Sequence, residues 1–304
     1  MRLQKEIFYE MALQQHLAKR LALADGRTMA WREYGRDYGK QDNDGWSVIF
    51  FHGNLNSRLF SACWGDKTSE IAKNAGVRVI AVDRPGYGAS SLWPWPRSYK
   101  EYAGRDVKAL AKHLGLAKFS VMGYSSGGPH AIACAHQLSE MVHGLALISS
   151  DGPYYKMGAG VMNALYGSPP PYDLSIAMQK CKKNEDALRN AYVAIKSDAK
   201  RNIALADLDN AIKAGIEGPA QDMLLETSDW GYDIDQIKTP TVLWHGDKDT
   251  DVPLQCAEHL SEALPAADLR VLPGENHSLI RRHWPSIMHQ IALFGTQHAS
   301  TSKY

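Results

Sequence analysis

The stretch Val121-Met122-Gly123-Tyr124-Ser125-Ser126-Gly127-Gly128-Pro129-His130 decides the fold that we predict for this chain. The apolar residues from Phe119 to Met122 predict a buried strand, and those from His130 to Ala135 predict a helix. Between the two lies the pattern Gly-x-Ser-x-Gly, centred on Ser125. A serine on so sharp a strand-to-helix turn has strained backbone angles and an outward side chain. It needs small neighbours because the strand and the helix approach closely.

A glycine-rich turn without a chemical role is the alternative explanation, since this short pattern also occurs by chance. The strand before the motif and the helix after it are the context that a nucleophilic serine requires. The helix also points its amide-rich end at Ser125, which favours negative charge beside the hydroxyl. The sequence therefore predicts Ser125 as a nucleophile.

The composition is that of an ordinary globular chain. Its 304 residues are 44% hydrophobic and 22% charged, which suits one large α/β domain with an insertion. The net charge of +1 gives no reason to expect nucleic acid as a partner. No apolar run reaches the roughly 18 residues of a membrane span, and residues 1–20 lack a signal-peptide core. We expect a cytoplasmic protein without a membrane span.

The beginning of the chain predicts an amphipathic helix over residues 1–19, because its apolar residues fall near helical spacing. This helix would dock on the body of the protein; the alternative is a contact with a membrane or a second subunit. A monomer and a homodimer both stay open. The four cysteines lie far apart, so reduced buried thiols are predicted rather than disulfides or a metal site. They are Cys63, Cys134, Cys181 and Cys256.

Strands and helices alternate along most of the chain. A hairpin is predicted around Asp25-Gly26, with strands over Arg20–Ala24 and Thr28–Tyr34. Further buried strands are predicted over Trp46–Phe51, Val77–Val82, Phe119–Met122, His143–Ile148, Thr241–His245 and Asp268–Leu272. Such alternation predicts an α/β fold with a mostly parallel sheet, flanked by helices. The chemistry of such sheets collects at the carboxyl ends of the strands, where His52, Asp83, Ser125 and Asp151 fall.

The segment from residue 151 to residue 235 has a different character, because no strand-like run occurs in it. Its patterns predict helices over Asp173–Lys182, Glu185–Lys196, Arg201–Ala214 and Pro219–Glu226. We interpret this segment as a helical cap inserted into a core formed by residues 1–150 and 236–304. The alternative is that these helices add to the layer flanking the sheet.

A serine hydroxyl needs a base within hydrogen-bond reach, and the base needs an acid to orient it. For a serine on a strand-to-helix turn, the expected order along the chain is serine, acid, histidine. The loop after the strand Thr241–His245 offers acids, and the loop after the last predicted strand offers His277. We predict His277 as the base and Asp249 as the acid.

Other residues are the alternatives for the acid and the base. Asp247, Asp251 and, less directly, Asp151 remain candidates for the acid, and Asp247 is expected to support the turn. The alternative is that His277 is a surface-loop histidine without a catalytic role. The remaining histidines near these motifs are expected to be structural or packed: His130, His245 and His259.

With these motifs, the chain resembles the α/β-hydrolase superfamily, in its branch of capped, esterase-like serine hydrolases. The segments that carry the resemblance extend from about residue 20 to residue 295. They are specific for the fold and much less so for the substrate. They comprise His52-Gly53, Asp83 to Ser90, Gly123 to Pro129, Gly246 to Asp249 with Val252-Pro253, and Gly274 to His277.

The resemblance implies a Ser125–His277–Asp249 triad that works by two-step acyl transfer. It also implies that the backbone amides of Asn54 and Ser126 form the oxyanion hole, with neither cofactor nor metal. The loop after His52-Gly53 departs from the family pattern, because relatives often continue with small residues or proline. Here the loop contains Leu55 and two asparagines, which would narrow or polarise the entrance.

The predicted function is hydrolysis of a carboxylic ester, lactone or thioester of a small to medium, mostly apolar substrate. A carbon–carbon bond hydrolase keeps the same triad and is not separated from these by the sequence. A ligand receptor with little turnover, built on the same fold, is the alternative from a different class. Candidate substrate-binding residues are Leu55, Tyr124, Trp93 and Tyr154; Trp93 and Tyr154 can equally be packing residues.

Overall fold

One sheet forms the centre of the protein. The computed structural model describes residues 18–35, 45–60, 67–166 and 173–301. Its strands are β1 (Lys19–Ala22), β2 (Thr28–Gly35), β3 (Trp46–Phe51), β4 (Val77–Val82), β5 (Phe119–Tyr124), β6 (Val142–Ile148), β7 (Thr241–Gly246) and β8 (Ala267–Leu272). They pair in the order β1-β2-β4-β3-β5-β6-β7-β8. The β1–β2 and β2–β4 pairs are antiparallel and the others are parallel, which confirms the predicted mostly parallel sheet.

Helices cover both faces of the sheet. Successive side chains of a strand point to opposite faces, so each strand packs against helices on both sides. In β3, Ile49 and Phe51 pack into one apolar cluster, while Val48 and Phe50 pack into another. The first cluster includes residues of α2 (Tyr99–Glu101), the π-helical turn Tyr102–Val107, α3 (Lys108–His113), α4 (Gly128–Gln137) and α10 (Leu254–Ala263). The second includes residues of α1 (Lys67–Asn74) and α11 (Ile280–Thr301). Burial on both faces explains why the central strands β3, β4 and β5 are mostly apolar in the sequence.

Further helices lie between β6 and β7: α5 (Tyr154–Met157), α6 (Ala159–Tyr166), α7 (Leu174–Val193), α8 (Asp198–Ala211) and α9 (Glu217–Thr227). We call residues 154–227 the helical insertion. Contacts of α8 and α9 place it over the carboxyl ends of β3 and β4. The backbone N–H of Gly88 donates to the carbonyl of Ala211 at 3.3 Å, and the backbones of Gly86 and Gly218 lie against each other.

The prediction of two helices over Asp173–Lys182 and Glu185–Lys196 is wrong, since α7 runs unbroken from Leu174 to Val193. Lys183 and Asn184, where the break was expected, are neither glycine nor proline and therefore do not interrupt a helix. The start agrees with the sequence, because the side chain of Asp173 caps α7 by accepting from the backbone N–H of Ile176 at 2.9 Å.

Some predictions concern residues outside the described ranges. The terminal helix predicted over residues 1–19 is one of them, although β1 already begins at Lys19; Cys63 is another. The other three cysteines are buried free thiols. Within the described ranges, no helix is both long enough and apolar enough to cross a membrane. The division into a core and a cap at residues 151 and 235 stays a prediction.

Candidate active site

The turn after β5 holds Ser125 in a strained backbone conformation. Its φ of 53° lies in the left-handed region, which a residue with a Cβ adopts at a cost of about 1–3 kcal/mol. A short 3₁₀ turn follows and leads into α4. A Cβ added to Gly123 would lie 2.5 Å from the carbonyl oxygen of Gly127, so the strand and the helix approach as closely as the motif requires. This backbone presents the serine hydroxyl at the carboxyl edge of the sheet.

The loops after β7 and β8 bring an acid and a histidine to this hydroxyl. Nε2 of His277 lies 3.1 Å from Oγ of Ser125. Nδ1 of the same ring lies 2.9 Å from Oδ2 of Asp249. Because the ionised carboxylate only accepts, Nδ1 carries the proton and Nε2 is left to accept from the serine. The structure thus brings the three predicted residues into one hydrogen-bonded chain.

Backbone donors fix the carboxylate that faces the ring. Oδ1 of Asp249 accepts from the backbone N–H groups of Asp251 at 3.0 Å and Val252 at 2.9 Å, and the side chain is fully buried. Asp247 instead accepts from the backbone N–H of Gly274 at 2.7 Å and so ties the two loops together. Asp251 is exposed. Of the acids in this loop, the geometry therefore favours Asp249 as the partner of the histidine.

Neighbouring groups hold both the backbone and the ring of His277. Its carbonyl oxygen accepts from the hydroxyls of Tyr124 and Ser149, each at 3.2 Å. The ring of Tyr124 also lies 5.1 Å from the imidazole and stacks on Phe60 at 4.8 Å. Tyr124, the residue before Ser125, therefore helps to hold His277 and lies beside its ring.

The carboxylates around the imidazole raise its pKa. Burial alone would lower the pKa of His277, but the hydrogen bond and charge of Asp249, with the charges of Asp251 and Asp151, raise this pKa above 6.5 in total. Burial would likewise raise the pKa of Asp249, yet the hydrogen bond and charge of His277 keep it below its usual range. The acid is therefore ionised whenever the imidazole is neutral.

This balance predicts how activity depends on pH. A base must be neutral to accept a proton, so we expect kcat/KM for a neutral ester to rise with pH through the pKa of His277, with a midpoint above 6.5. In Asp249→Asn the stabilising charge is gone, so the midpoint should move to lower pH. Paired pH–rate profiles measure the shift, with Asp268→Asn, an exposed β8 position, as the control. An unchanged midpoint in Asp249→Asn would contradict this electrostatic account.

The loop after β3 passes beside the serine. A Cβ added to Gly53 would lie 3.1 Å from Cβ of Ser125, so this loop packs against the serine at Gly53. Leu55 is buried and has a φ of 55°, which makes it a second strained residue next to the site. The loop therefore has a defined and costly conformation. Asn54 and Ser126 stay predictions as oxyanion donors.

Tyr154 and Asp151 form a buried pair behind the nucleophile. The Tyr154 hydroxyl donates to Oδ1 of Asp151 at 2.5 Å, and the backbone N–H of Asp151 donates to the carbonyl of Ser125 at 3.3 Å. Burial raises the pKa of the Asp151 carboxyl to about 6, although Tyr154 and His277 counteract the rise. Asp151 makes no hydrogen bond to His277 in this arrangement, which leaves Asp249 as the acid that orients the ring.

Trp93 occupies a different environment from the other substrate-binding candidates. Its ring lies under the guanidinium of Arg27 at 4.1 Å and near that of Arg105 at 5.6 Å. It also packs with Tyr102 in the apolar cluster on the α4 side of the sheet. These contacts favour a packing role over a pocket wall.

Two of the three histidines expected to be structural, His130 and His245, are held in packing positions. His130 is buried among aromatic rings, among them Tyr99 at 4.8 Å. His245 is buried too, and its Nε2 lies 2.9 Å from the carbonyl oxygen of Val252. Neither contacts Ser125.

Two buried carboxylates beside the site carry no sequence signal of their own. Asp207 lies on α8 and Asp222 on α9, and both reach loops at the carboxyl edge of the sheet. A single acid within a polar helix resembles any solvated residue, so its burial cannot be predicted from the pattern. The one available clue was the polar loop Asn54–Arg58, which departs from the family pattern.

The comparisons with known proteins agree with this fold. The profile of the Alpha/beta hydrolase family matches residues 48–285. A 2-hydroxy-6-oxononadienedioate/2-hydroxy-6-oxononatrienedioate hydrolase from Paraburkholderia phymatum is 28% identical over 212 residues, which cover 67% of this chain and 71% of that protein.

Solved structures resemble the whole architecture. An esterase from Exiguobacterium antarcticum superposes with a TM-score of 0.69 at 19% identity and covers 91% of this chain and 99% of its own. The enol-lactonase from Burkholderia xenovorans LB400 has a TM-score of 0.67 at 18% identity, over 91% of this chain and 100% of its own. At such identities the likeness supports the fold alone. Together with the family match, it establishes that the chain belongs to the alpha/beta hydrolase family, as the motifs predicted.

Proposed function

We propose that this alpha/beta hydrolase is a serine hydrolase that cleaves a carboxylic ester, lactone or thioester of a small to medium, mostly apolar substrate. The observation that carries the proposal is the hydrogen-bonded chain from Oγ of Ser125 through His277 to Asp249, with distances of 3.1 and 2.9 Å. A hydroxyl that shares its proton with an oriented imidazole is the arrangement that acyl transfer needs.

The reaction proceeds in two halves. Oγ of Ser125 bonds to the substrate carbonyl carbon while its proton passes to Nε2 of His277. The imidazolium then protonates the leaving group as the ester bond breaks, which leaves an acyl-serine. In the second half, His277 takes a proton from water, the hydroxide attacks the acyl carbon, and the proton returns to Ser125 as the acid departs. Asp249 keeps the ring in the required tautomer and stabilises its charge.

The developing oxyanion is stabilised by the backbone N–H groups of Asn54 and Ser126. We place both amides beside Ser125, one from the loop after β3 and one from the 3₁₀ turn that contains Ser125. Each donor is worth about 3 kcal/mol in the transition state. The amino end of α4 adds a favourable dipole at the same point.

The helical insertion, within the predicted segment 151–235, serves as a cap over the substrate. We place Leu55 beside the reacting group because it follows Asn54, and Tyr124 because its ring lies 5.1 Å from that of His277. Tyr154, which donates to Asp151, would close the far side. All three side chains are buried, which suits a mostly apolar substrate. Trp93 contributes by packing rather than by contact with substrate. The location in the cytoplasm and the monomeric or dimeric state stay predictions from the sequence.

Hydrolysis of a carbon–carbon bond is the second candidate. Its support is the 28% identity to the Paraburkholderia phymatum relative, a 2-hydroxy-6-oxononadienedioate/2-hydroxy-6-oxononatrienedioate hydrolase. An ester panel and a carbon–carbon substrate of that type, assayed side by side, separate the two.

The test of the main proposal is labelling combined with turnover. We expect a fluorophosphonate to label the wild-type protein at one site per chain, and short activated esters or lactones of graded acyl length to be turned over repeatedly. Labelling with a single slow turnover and a large thermal shift on ligand binding would instead support the receptor. Absence of labelling at Ser125 would overturn the proposal.

A further inference from the structure

The polar loop after β3 is complementary to the helical insertion. Nδ2 of Asn54 donates to the carbonyl of Pro219 at 3.4 Å, and Nη1 of Arg58 donates to Oδ1 of Asn210 at 3.2 Å. Between these contacts, Asn56 and Ser57 both bond to one carboxylate of α8. The polar residues by which this loop departs from the family pattern therefore have hydrogen-bond partners on the insertion.

That carboxylate belongs to Asp207, whose side chain is buried and accepts three hydrogen bonds from two loop residues. Oδ1 accepts from the backbone N–H of Ser57 at 3.0 Å and from its hydroxyl at 2.6 Å. Oδ2 accepts from Nδ2 of Asn56 at 3.1 Å. Because a buried carboxylate left without donors is very costly, these bonds fix the loop strongly. Asn54, the predicted oxyanion donor, lies two residues before Asn56.

A second carboxylate of the insertion reaches the other oxyanion donor through an arginine. Oδ2 of Asp222, on α9, lies 3.0 Å from Nη1 of Arg84, and both side chains are fully buried. Arg84 then donates from Nη1 to the carbonyl of Ser126 and from Nη2 to the hydroxyl of Ser126, each at 3.0 Å. One guanidinium thus holds the carbonyl and the hydroxyl of Ser126, the residue whose backbone amide is the predicted donor.

Asp222 has further partners besides Arg84. Nη2 of Arg97 donates to Oδ1 of Asp222 at 2.5 Å, and Nε2 of His130 lies 3.4 Å from the same oxygen. The backbone N–H of Arg84 donates to Nε2 of His52 at 3.3 Å, next to Gly53. The contacts that start from Asp207 and those that start from Asp222 therefore both lead to the loop that begins at His52-Gly53.

We propose that Asp207 and Asp222 are positioning residues of the helical insertion, each of which holds one of the two backbone amides of the oxyanion hole. Asp207 fixes the loop that carries the Asn54 amide, and Asp222 fixes residue Ser126 through the contacts of Arg84 with its carbonyl and hydroxyl. This inference rests on the proposed serine-hydrolase function. It makes the insertion part of the catalytic geometry in addition to a cover for the substrate.

The expected effect is on the transition state rather than on substrate binding. A shift of about 1 Å in a catalytic group can cost on the order of 100-fold in rate. We expect Asp207→Ala and Asp222→Asn each to lower kcat for a short ester by about 10- to 100-fold per active site, while KM stays near the wild-type value. An inhibitor that forms an oxyanion, such as a trifluoromethyl ketone, should bind weaker by the same factor.

The experiment counts active sites with a fluorophosphonate in each purified variant, then measures kcat, KM and trifluoromethyl ketone affinity. Asp209→Asn is the matched control, because this exposed acid of α8 pairs with Arg189 and does not reach the loop. It should retain wild-type values. A purely structural role for the two carboxylates would lower the melting temperature and leave kcat per titrated site unchanged, and that result overturns the proposal.

If Asp207→Ala or Asp222→Asn does not fold, variants of the residues that bond to these carboxylates test the same inference. Ser57→Ala removes one donor to Asp207, and Arg84→Lys replaces the two-pronged guanidinium by a single ammonium. Both should lower kcat and ketone affinity together; wild-type values in both would overturn the proposal. If the wild-type protein itself does not react with the fluorophosphonate, the proposed function fails first. If it reacts and the variants match it, only the positioning inference fails.

Discussion

Ser125→Ala is expected to abolish turnover of a short activated ester while the protein stays folded. The substitution removes the oxygen that forms the acyl bond, and Nε2 of His277 loses its partner at 3.1 Å. Loss of the nucleophile in a serine triad lowers kcat by roughly 10⁴- to 10⁶-fold. Alanine can adopt the φ of 53° at a cost similar to that of serine, so the fold should not change. The measurement is kcat, beside thermal unfolding of the same sample.

A serine remote from the site provides the control for this variant. Ser139 is exposed in the turn after α4, and Ser139→Ala should keep wild-type kcat and KM. Fluorophosphonate labelling should disappear in Ser125→Ala and persist in Ser139→Ala. Turnover retained by Ser125→Ala would remove this residue from the nucleophile role.

The sheet could be predicted from the sequence because its strands are buried on both faces. Val77–Val82 and Phe119–Tyr124 are buried at every position, so they are mostly apolar runs that are easy to recognise, with Arg78 and Ser120 as their polar residues. Helical patterns between such runs require parallel neighbours, and parallel strands end at a common edge. The serine, the acid and the histidine all follow strand ends, so their meeting point followed from the topology.

The choice among neighbouring acids depended on contacts that no pattern contains. Asp247, Asp249 and Asp251 alternate along one loop, and spacing alone does not say which faces the imidazole. The backbone donors of residues 251 and 252 turn Asp249 inward, while Asp247 bonds to Gly274. Loop hydrogen bonds of this kind depend on exact backbone angles, which the sequence does not display.

The helical insertion was the least predictable part, for a related reason. The extent of α7 depended on the absence of a break rather than on a signal, and α9 is buried along most of its length although acids occur in it. The burial of Asp207 and Asp222 arises from partners about 150 and 138 positions earlier in the chain, namely Ser57 and Arg84. Pairing over such separations is a property of tertiary packing, and the sequence offered only the unusual polarity of the loop Asn54–Arg58.

Gly127→Ala is expected to unfold or severely destabilise the protein. A Cβ at this position would lie 2.1 Å from the carbonyl oxygen of Phe51 and 2.7 Å from that of His52. Neither oxygen can withdraw easily, because β3 is paired with β4 on one side and β5 on the other. Overpacking usually costs about 1–3 kcal/mol, but a clash with fixed backbone belongs to the rare cases above about 4 kcal/mol. The melting temperature should fall by on the order of 10 °C, or the chain should aggregate.

Gly160→Ala is the matched control, since it makes the same chemical change where there is room. Gly160 is an exposed position of α6, and a Cβ there would have no heavy atom within 4 Å. Alanine in an exposed helix stabilises it by about 0.5–1 kcal/mol relative to glycine, so the melting temperature should hold or rise. Any folded fraction of Gly127→Ala should also lose activity, because the clash displaces the loop that carries Asn54. Wild-type stability in Gly127→Ala would mean that β3 and the turn after Ser125 lie further apart than the structure places them, and the oxyanion geometry would need to be redrawn.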